Sequence, residues 1–165
     1  MSRTEMKRLA NELAPTPEHA GLEVSIRVGD WRHLRAGAIA VRYAVFVQEQ
    51  GIPARFELDE HDAVALHAVA FDSFGVPLGT GRLLRDGHIG RMAVLRSARG
   101  QGVGTVILRS LVAIAKSRGM HELRLHAQLS AVPFYERQGF TAIGEPYDEV
   151  GILHRTMVRS LRIDV

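Results

Sequence analysis

The 165-residue chain contains no cysteine, which removes disulfide bridges and any mechanism that runs through a protein thiolate. It has no run of about eighteen apolar residues of the kind that spans a bilayer. Residues Met1 to Leu13 mix Arg3, Glu5, Lys7, Arg8 and Glu12 with few apolar side chains, and so lack the apolar centre of a secretory signal. These absences lead to the expectation of a cytoplasmic protein with no membrane partner. Charge of one sign is scarce as well: the net charge is +3 and the arginines are scattered without a basic block, so nucleic acid is not an expected partner. The spacings His-x-x-x-His and His-Glu-x-x-His are missing, and with cysteine absent no metal site is expected.

What remains is an ordinary globular composition, 46% apolar and 24% charged, in a chain long enough to bury one core. Its most informative stretch runs from His88 to Gly119. A short apolar run (Ile89, Met92, Ala93, Val94) leads into Arg96-Ser97-Ala98-Arg99-Gly100-Gln101-Gly102-Val103-Gly104. Beyond it, Val103, Val106, Ile107, Leu111, Ile114 and Ala115 recur at steps of three and four, the mark of a helix buried along one face. The stretch predicts a strand, a glycine-rich turn and a helix. Unpaired N–H groups in such a turn, at the positive end of a helix dipole and beside Arg96 and Arg99, suit an anionic phosphate group. Two nucleotide patterns fail on spacing. No lysine follows as a P-loop requires, and the glycines read Gly-x-Gly-x-Gly rather than Gly-x-Gly-x-x-Gly.

Elsewhere the pattern predicts a strand over Leu22 to Val28, a long helix over Trp31 to Gln50, and an acidic, solvated loop over Arg55 to Ala63. Two antiparallel strands, Leu66 to Phe71 and Val76 to Arg85, then lead through Asp86-Gly87 to His88. After the central helix come a strand (Leu123 to Ala127), a short helix (Ala131 to Arg137) and a final hairpin (Thr141 to Glu145, Ile152 to Val158). This order is that of an α/β protein with a mixed sheet of six to seven strands and helices on both faces. The strands on either side of the central helix should be parallel. Residues 1–21, with Pro15, Pro17 and Gly21, read as a loosely attached extension to a domain over 22–165.

Arg99, Gly102 and Gly104 match Arg/Gln-x-x-Gly-x-Gly/Ala, and this turn resembles the pyrophosphate-binding motif of the GNAT superfamily of acyl-CoA N-acyltransferases. A second stretch, Gln128-Leu129-Ser130-Ala131-Val132-Pro133-Phe134-Tyr135-Glu136-Arg137-Gln138-Gly139-Phe140, is similar to the family's Asn-x-x-Ala-x-x-Phe-Tyr-x-x-x-Gly-Phe, with Gln128 replacing asparagine. Val41-Arg42-x-x-Val45-Phe46-Val47-x-Glu49-Gln50-Gly51-Ile52-Pro53, with Glu57, Asp59, Glu60 and Asp62 after it, resembles a bacterial subgroup of GNAT proteins. The resemblance implies the GNAT fold and acetyl-CoA as co-substrate. CoA would be held by Met92, Ala93, Val94, Arg99, Gly100, Gln101, Gly102, Val103, Gly104, Thr105, Gln128, Phe134 and Tyr135.

By the same resemblance, the strand before the glycine turn would splay from its neighbour and bind the pantetheine arm along its main chain, with Val94 pairing to a pantetheine amide and the Met92 N–H holding the thioester oxygen, and Tyr135 would be the general acid toward the departing thiolate. His88 occupies a position where the family often has a glutamate base. Imidazole, with an ordinary pKa of about 6.5, suits that task. Glu49, His67, His126 and His154 are rival bases, and Glu49, His67 and His154 are candidates for contact with the acceptor. The implied activity is acetyl transfer to a primary amine of a small molecule or peptide by direct attack in a ternary complex. Two alternatives are a longer-chain acyltransferase related to acyl-homoserine-lactone synthases and a non-catalytic acyl-CoA sensor. The final hairpin is a candidate for pairing in a homodimer.

Overall fold

A computed structural model of the chain describes residues 2–13 and 23–162. Leu22, the expected start of the first strand, and Pro15, Pro17 and Gly21 lie outside the described residues. The elements are α1 (Arg3–Leu13), β1 (Ser25–Gly29), α2 (Trp31–Arg42), β2 (Leu66–Phe71), β3 (Pro77–Leu83), β4 (Ile89–Val94), α3 (Val103–Ser117), β5 (Glu122–Gln128), α4 (Val132–Arg137), β6 (Thr141–Glu149) and β7 (Ile152–Ser160). Contrary to a loose extension, α1 is docked: Met6 is 2% exposed and packs on Ile39 and Tyr43 of the next helix.

The long helix expected from Trp31 begins at Asp30, whose side chain accepts the His33 N–H and so satisfies an orphan donor of the first turn. After Arg42 it widens into a π-helical segment, Tyr43–Glu49, in which Gln50 N–H reaches back to Val45 O at 3.0 Å. Such wide turns accompany functional sites, and this one carries Phe46, Glu49 and Gln50.

Strands β1 to β4 form an antiparallel meander, and β5, β7 and β6 a second antiparallel sheet with β7 in the middle. The apolar face of α3 (Ile107, Leu108, Leu111, Ala115) is fully buried in a core that joins Leu78, Leu83 and Ile89 to Leu123, Leu125 and Met157. The seven strands therefore share one core but not one continuous ladder. The expected parallel pairing of β4 with β5 survives only at its root, as a single bridge between His88 and Arg124 with Arg124 N–H donating to Gly87 O at 3.1 Å. Beyond that point the two edges part. The reason lies in β4, which carries a bulge: Thr80 pairs with Ala93 and Arg82 with Gly90, so Arg91 and Met92 oppose the single Gly81.

The acidic segment after α2 is not a solvated loop. Arg42, 0% exposed although it lies in a helix, donates through Nη1 and Nη2 to both Asp62 oxygens at 2.8 and 3.0 Å and through Nη2 to Glu57 O at 2.7 Å, and its Nε pairs with the Glu57 carboxylate. Glu57 and Asp62 are each 2% exposed. Arg82 of β3 extends the network, donating to both oxygens of Asp59 at 2.7 and 2.8 Å and to Asp62 at 3.0 Å. Bidentate pairs of this kind fix geometry as well as charge. Burial opposes the charge on Arg42, but Glu57 and Asp62 outweigh it and keep the guanidinium ionised. Burial would likewise raise the Asp59 carboxyl, yet the hydrogen bonds and charge of Arg82, with Arg91 behind, hold it down at about 2.

Two outcomes follow from this network. Arg42→Met leaves the buried Glu57 carboxylate without its ion partner and Asp62 with Arg82 alone, and should lower unfolding free energy by about 3–5 kcal/mol, measured by urea denaturation. Asp59 has a folded pKa below its unfolded value of about 3.9, so its contribution is complete above that pH and disappears as pH falls toward about 2. Asp59→Asn should therefore lose stability at pH 7 and show a flatter decline between about pH 4 and pH 2 than the unaltered protein.

Candidate active site

The parting of β4 from β5 opens a cleft of about 820 Å³. One wall is β4 itself, with Arg91, Met92, Ala93 and Val94; the other is β5, with Leu125, His126, Ala127 and Gln128. The end of the π-helical segment and residues 56, 57 and 59 close one side, and Tyr135, Glu149 and His154 the other. Within the two sheets, β4 pairs only with β3 and β5 only with β7, so the strand edges that face the cleft are open above the root bridge. An open strand edge is a template for an extended amide-bearing chain. Gly81 sits tightly under the bulge: a Cβ there would meet the Met92 sulfur and push that side chain aside.

Val94 runs directly toward the glycine loop. Gly100 and Gly102 have φ of +77° and +80°, left-handed values that glycine takes without strain, and Gly102 is the N-cap of α3 with no side chain capping the helix. The first N–H groups of α3 are thus left for an anion, aligned with the helix dipole. Gly104 stands in the first turn beside Phe134 and Val94, with Val103 turned into the core and Gln101 and Thr105 flanking it on the loop and helix. Arg99, which lines the cleft, donates from Nε to Val94 O at 3.0 Å and from its two terminal nitrogens to Glu49 at 2.7 and 2.8 Å. Hydrogen bonding to Arg99 lowers the Glu49 carboxyl and, reciprocally, raises the Arg99 guanidinium. Across the same opening, Gln50 and Gln128 exchange amide hydrogen bonds at 2.9 and 3.2 Å. Glu49 is therefore tied to the glycine loop, where an ionised, paired carboxylate is a poor base.

A row of rings lines the far wall. His88 lies with Nδ1 3.0 Å from Asp86 and stacks on His126 at 5.8 Å; the His126 Nδ1 pairs with the Tyr147 hydroxyl; Tyr147 stacks on His154 at 6.1 Å. Tyr147 reaches this row because Gly144, Glu145 and Pro146 of β6 bulge opposite the single Arg155. Burial lowers the pKa of His126, which favours the neutral, proton-accepting imidazole. His154 is anchored by Nδ1 to Ile152 O at 2.7 Å, and its Nε2 lies 3.7 Å from Glu149. Tyr135 is 7% exposed, held edge-on between Phe134 and Phe140, and burial pushes its phenol far up, so it stays protonated.

Of the residues expected at the site, Met92, Ala93, Val94, Arg99, Gln128, Tyr135, His88, Glu49 and His154 line this one cleft. His67 does not. It is fully buried under Trp31 at 4.8 Å, with Nε2 bonded to Asp62 O at 2.9 Å, and serves the ion network rather than an acceptor. Phe134 supports Tyr135 and Gly104 from outside the lining. Arg91 and Tyr147 are not among the site residues expected from the sequence, although Tyr147 opens the tail Tyr147 to His154 that resembles the same bacterial subgroup: the spacing of a bulged strand hides which side chains share a face. Among the described residues no cluster of three or more His, Asp or Glu is disposed to hold a metal ion, and no helix is long and apolar enough to cross a membrane.

Comparison with known proteins agrees with this geometry. The model of the acetyltransferase (GNAT) domain matches residues 34–161. YjcF of Bacillus subtilis, an uncharacterized N-acetyltransferase, is 38% identical over 126 residues, 74% of this chain and 89% of its own. The crystal structure of an acyl-CoA N-acyltransferase from Pseudomonas aeruginosa superposes with a TM-score of 0.74 at 30% identity, covering 83% of this chain and 99% of that one. The CoA-dependent acyl-homoserine lactone synthase BjaI shares the fold, with a TM-score of 0.68 at 14% identity over 85% of this chain and 84% of its own. The chain belongs to the GNAT acetyltransferase family, whose chemistry is acyl transfer from acyl-CoA.

Proposed function

We propose that this protein transfers the acetyl group of acetyl-CoA to a primary amine of a small molecule or peptide, by direct attack in a ternary complex. The observation that carries the reading is the continuity of three features: an open β4 edge, a glycine loop ending on the uncapped N-terminus of α3, and a buried, protonated tyrosine beside both. The loop and α3 would hold the diphosphate of CoA, and the Val94 edge the pantetheine arm. Arg99 now bonds to the Val94 carbonyl, so entry of that arm would exchange one hydrogen bond for another.

The chemistry asked of the side chains is modest. The Met92 N–H donates to the thioester oxygen as negative charge develops there. His88, oriented by Asp86 and backed by His126, takes the proton of the attacking amine. As the new C–N bond forms and the C–S bond breaks, the Tyr135 hydroxyl gives its proton to the departing sulfur; a high phenol pKa keeps that proton available at neutral pH. With no cysteine in the chain, no protein thioester intervenes.

Thiol release from acetyl-CoA with a panel of amines tests the activity, and calorimetry tests CoA binding. CoA should bind the unaltered protein. Tyr135→Phe and His88→Ala should each lower kcat by about 100-fold or more while leaving CoA affinity within about threefold, the span expected for loss of a general acid or base. Turnover that survives both changes would reject these roles, CoA binding without turnover on any amine would favour a sensor, and failure to bind CoA would reject the reading.

A further inference from the structure

The residue before Met92 stands in a conformation that its type rarely takes. Arg91 has φ of +50°, the left-handed region, at the heart of the β4 bulge. A glycine would hold this angle without strain, so an arginine there must be held by something other than its own backbone preference. Its side chain supplies the hold. Nε donates to Glu57 O at 2.9 Å, and Nη2 donates to Asp59 Oδ2 at 3.0 Å and to Phe56 O at 3.3 Å. Those acceptors are themselves fixed. Asp59 is gripped by both terminal nitrogens of Arg82, and Glu57 by Arg42 from inside α2. The guanidinium thus fastens a strained turn of β4 to a buried network that also grips α2 and β3.

A bulge matters because the inserted residue rotates the peptide that follows it and re-aims its N–H. Here that peptide is the one between Arg91 and Met92. We propose that Arg91 is a positioning residue: its clamp on residues 56, 57 and 59 sets the direction of the Met92 N–H, and thereby how strongly that group polarises the acyl carbonyl. The proposal rests on the role given to Met92 in the proposed function. It goes beyond it in making the buried ion network part of the catalytic apparatus and not only of the core. An N–H aimed at a developing oxyanion acts on the transition state, so releasing the clamp should change kcat and leave CoA binding as it was.

Arg91→Gly separates the two things the residue supplies, since glycine tolerates the left-handed angle but has no side chain to clamp. The expected result is a fall in kcat of about tenfold to 100-fold, the scale seen when a catalytic group is misplaced by about an ångström. The acetyl-CoA KM and the calorimetric affinity for CoA should stay within about twofold. Infrared difference spectra of bound acetyl-CoA carrying a carbon-13 carbonyl should show the carbonyl band moved toward its position in free solution. A merely structural role would not move that band. An unchanged band with unchanged kcat, or a loss confined to KM, would overturn the proposal. Should Arg91→Gly not fold, Arg91→Lys carries the test: it keeps the charge but has one nitrogen where arginine uses two, and wild-type kcat with a wild-type band would overturn the proposal equally. If the unaltered protein neither binds CoA nor turns over, the proposed function fails first, and that outcome is read before any variant is made.

Discussion

A guanidinium buried inside a helix is expensive unless every direction in which it points is answered, and Arg42 is answered on all sides. Glu57 and Asp62 accept four hydrogen bonds from its Nε, Nη1 and Nη2, its Cζ lies over the Trp31 ring at 5.4 Å from the centroid, and His67 holds the Asp62 carbonyl from behind. Because those carboxylates come from a segment with no strand and only short turns of helix, the charge pairs do what a hydrophobic stripe does elsewhere: they give the segment one position. The side of the cleft formed by residues 56, 57 and 59 is built on that position. Phe56 and Asp59 reach the cleft only because Glu57 is pinned, and Arg91 holds the β4 bulge only because Asp59 and the carbonyls of 56 and 57 are fixed.

The glycine-loop side of the cleft is tied to the same helix by other means. The π-helical turn after Arg42 places Glu49 within bidentate reach of Arg99 and Gln50 within reach of Gln128. One helix therefore organises both halves of the site, with its buried stretch gripping the ion network and its widened end gripping the glycine loop and the tip of β5. The two sheet halves share a core along α3 and Met157, but near the chemistry they are joined by polar contacts that span an opening. A cleft crossed by hydrogen bonds can admit a ligand that replaces them; a cleft closed by packed aliphatic side chains must first lose that packing.

Local patterns were legible in the sequence, and long-range consequences were not. The α3 periodicity, the glycine-rich turn and the hairpin at Asp86-Gly87 are set by neighbours a few residues away, and the structure places them as read, with Gly100 and Gly102 left-handed and Gly104 not. The acidic run at 57–62 was misjudged because its partners lie 15 to 34 residues distant, on α2, β3 and β4. Composition describes such a run as soluble, and only the tertiary pairing shows it to be core. The parting of β4 from β5 is implied by the family resemblance and not by the residues of β4 themselves. A crossover helix fixes the relative direction of two strands, but a one-residue bulge decides whether they stay together, and nothing in Ile-Gly-Arg-Met-Ala-Val announces it. His67 follows the same rule. A histidine in an apolar strand belongs to whichever side of the sheet its register gives it, and here that side is the network and not the cleft.

That pairing also changes how an acceptor would be selected. Glu57, Asp59 and Asp62 face Arg42, Arg82 and Arg91, so three of the four carboxylates of the acidic run are answered by arginine and little of its charge is left to draw a cation into the cleft. Chemistry favours this balance. An unpaired carboxylate near the attacking nitrogen would stabilise the ammonium and raise its pKa, holding the amine in the form that cannot attack. A wall of imidazoles does the reverse. On the proposed reading an imidazole there would accept the proton, and burial lowers the pKa of His126, which favours its neutral form. Discrimination between acceptors would then fall to shape and apolar contact along Phe46, Ile52 and Phe56, which close the cleft opposite the histidines. On that reading the arginines neutralise a set of carboxylates that would otherwise hold an amine substrate in the wrong protonation state.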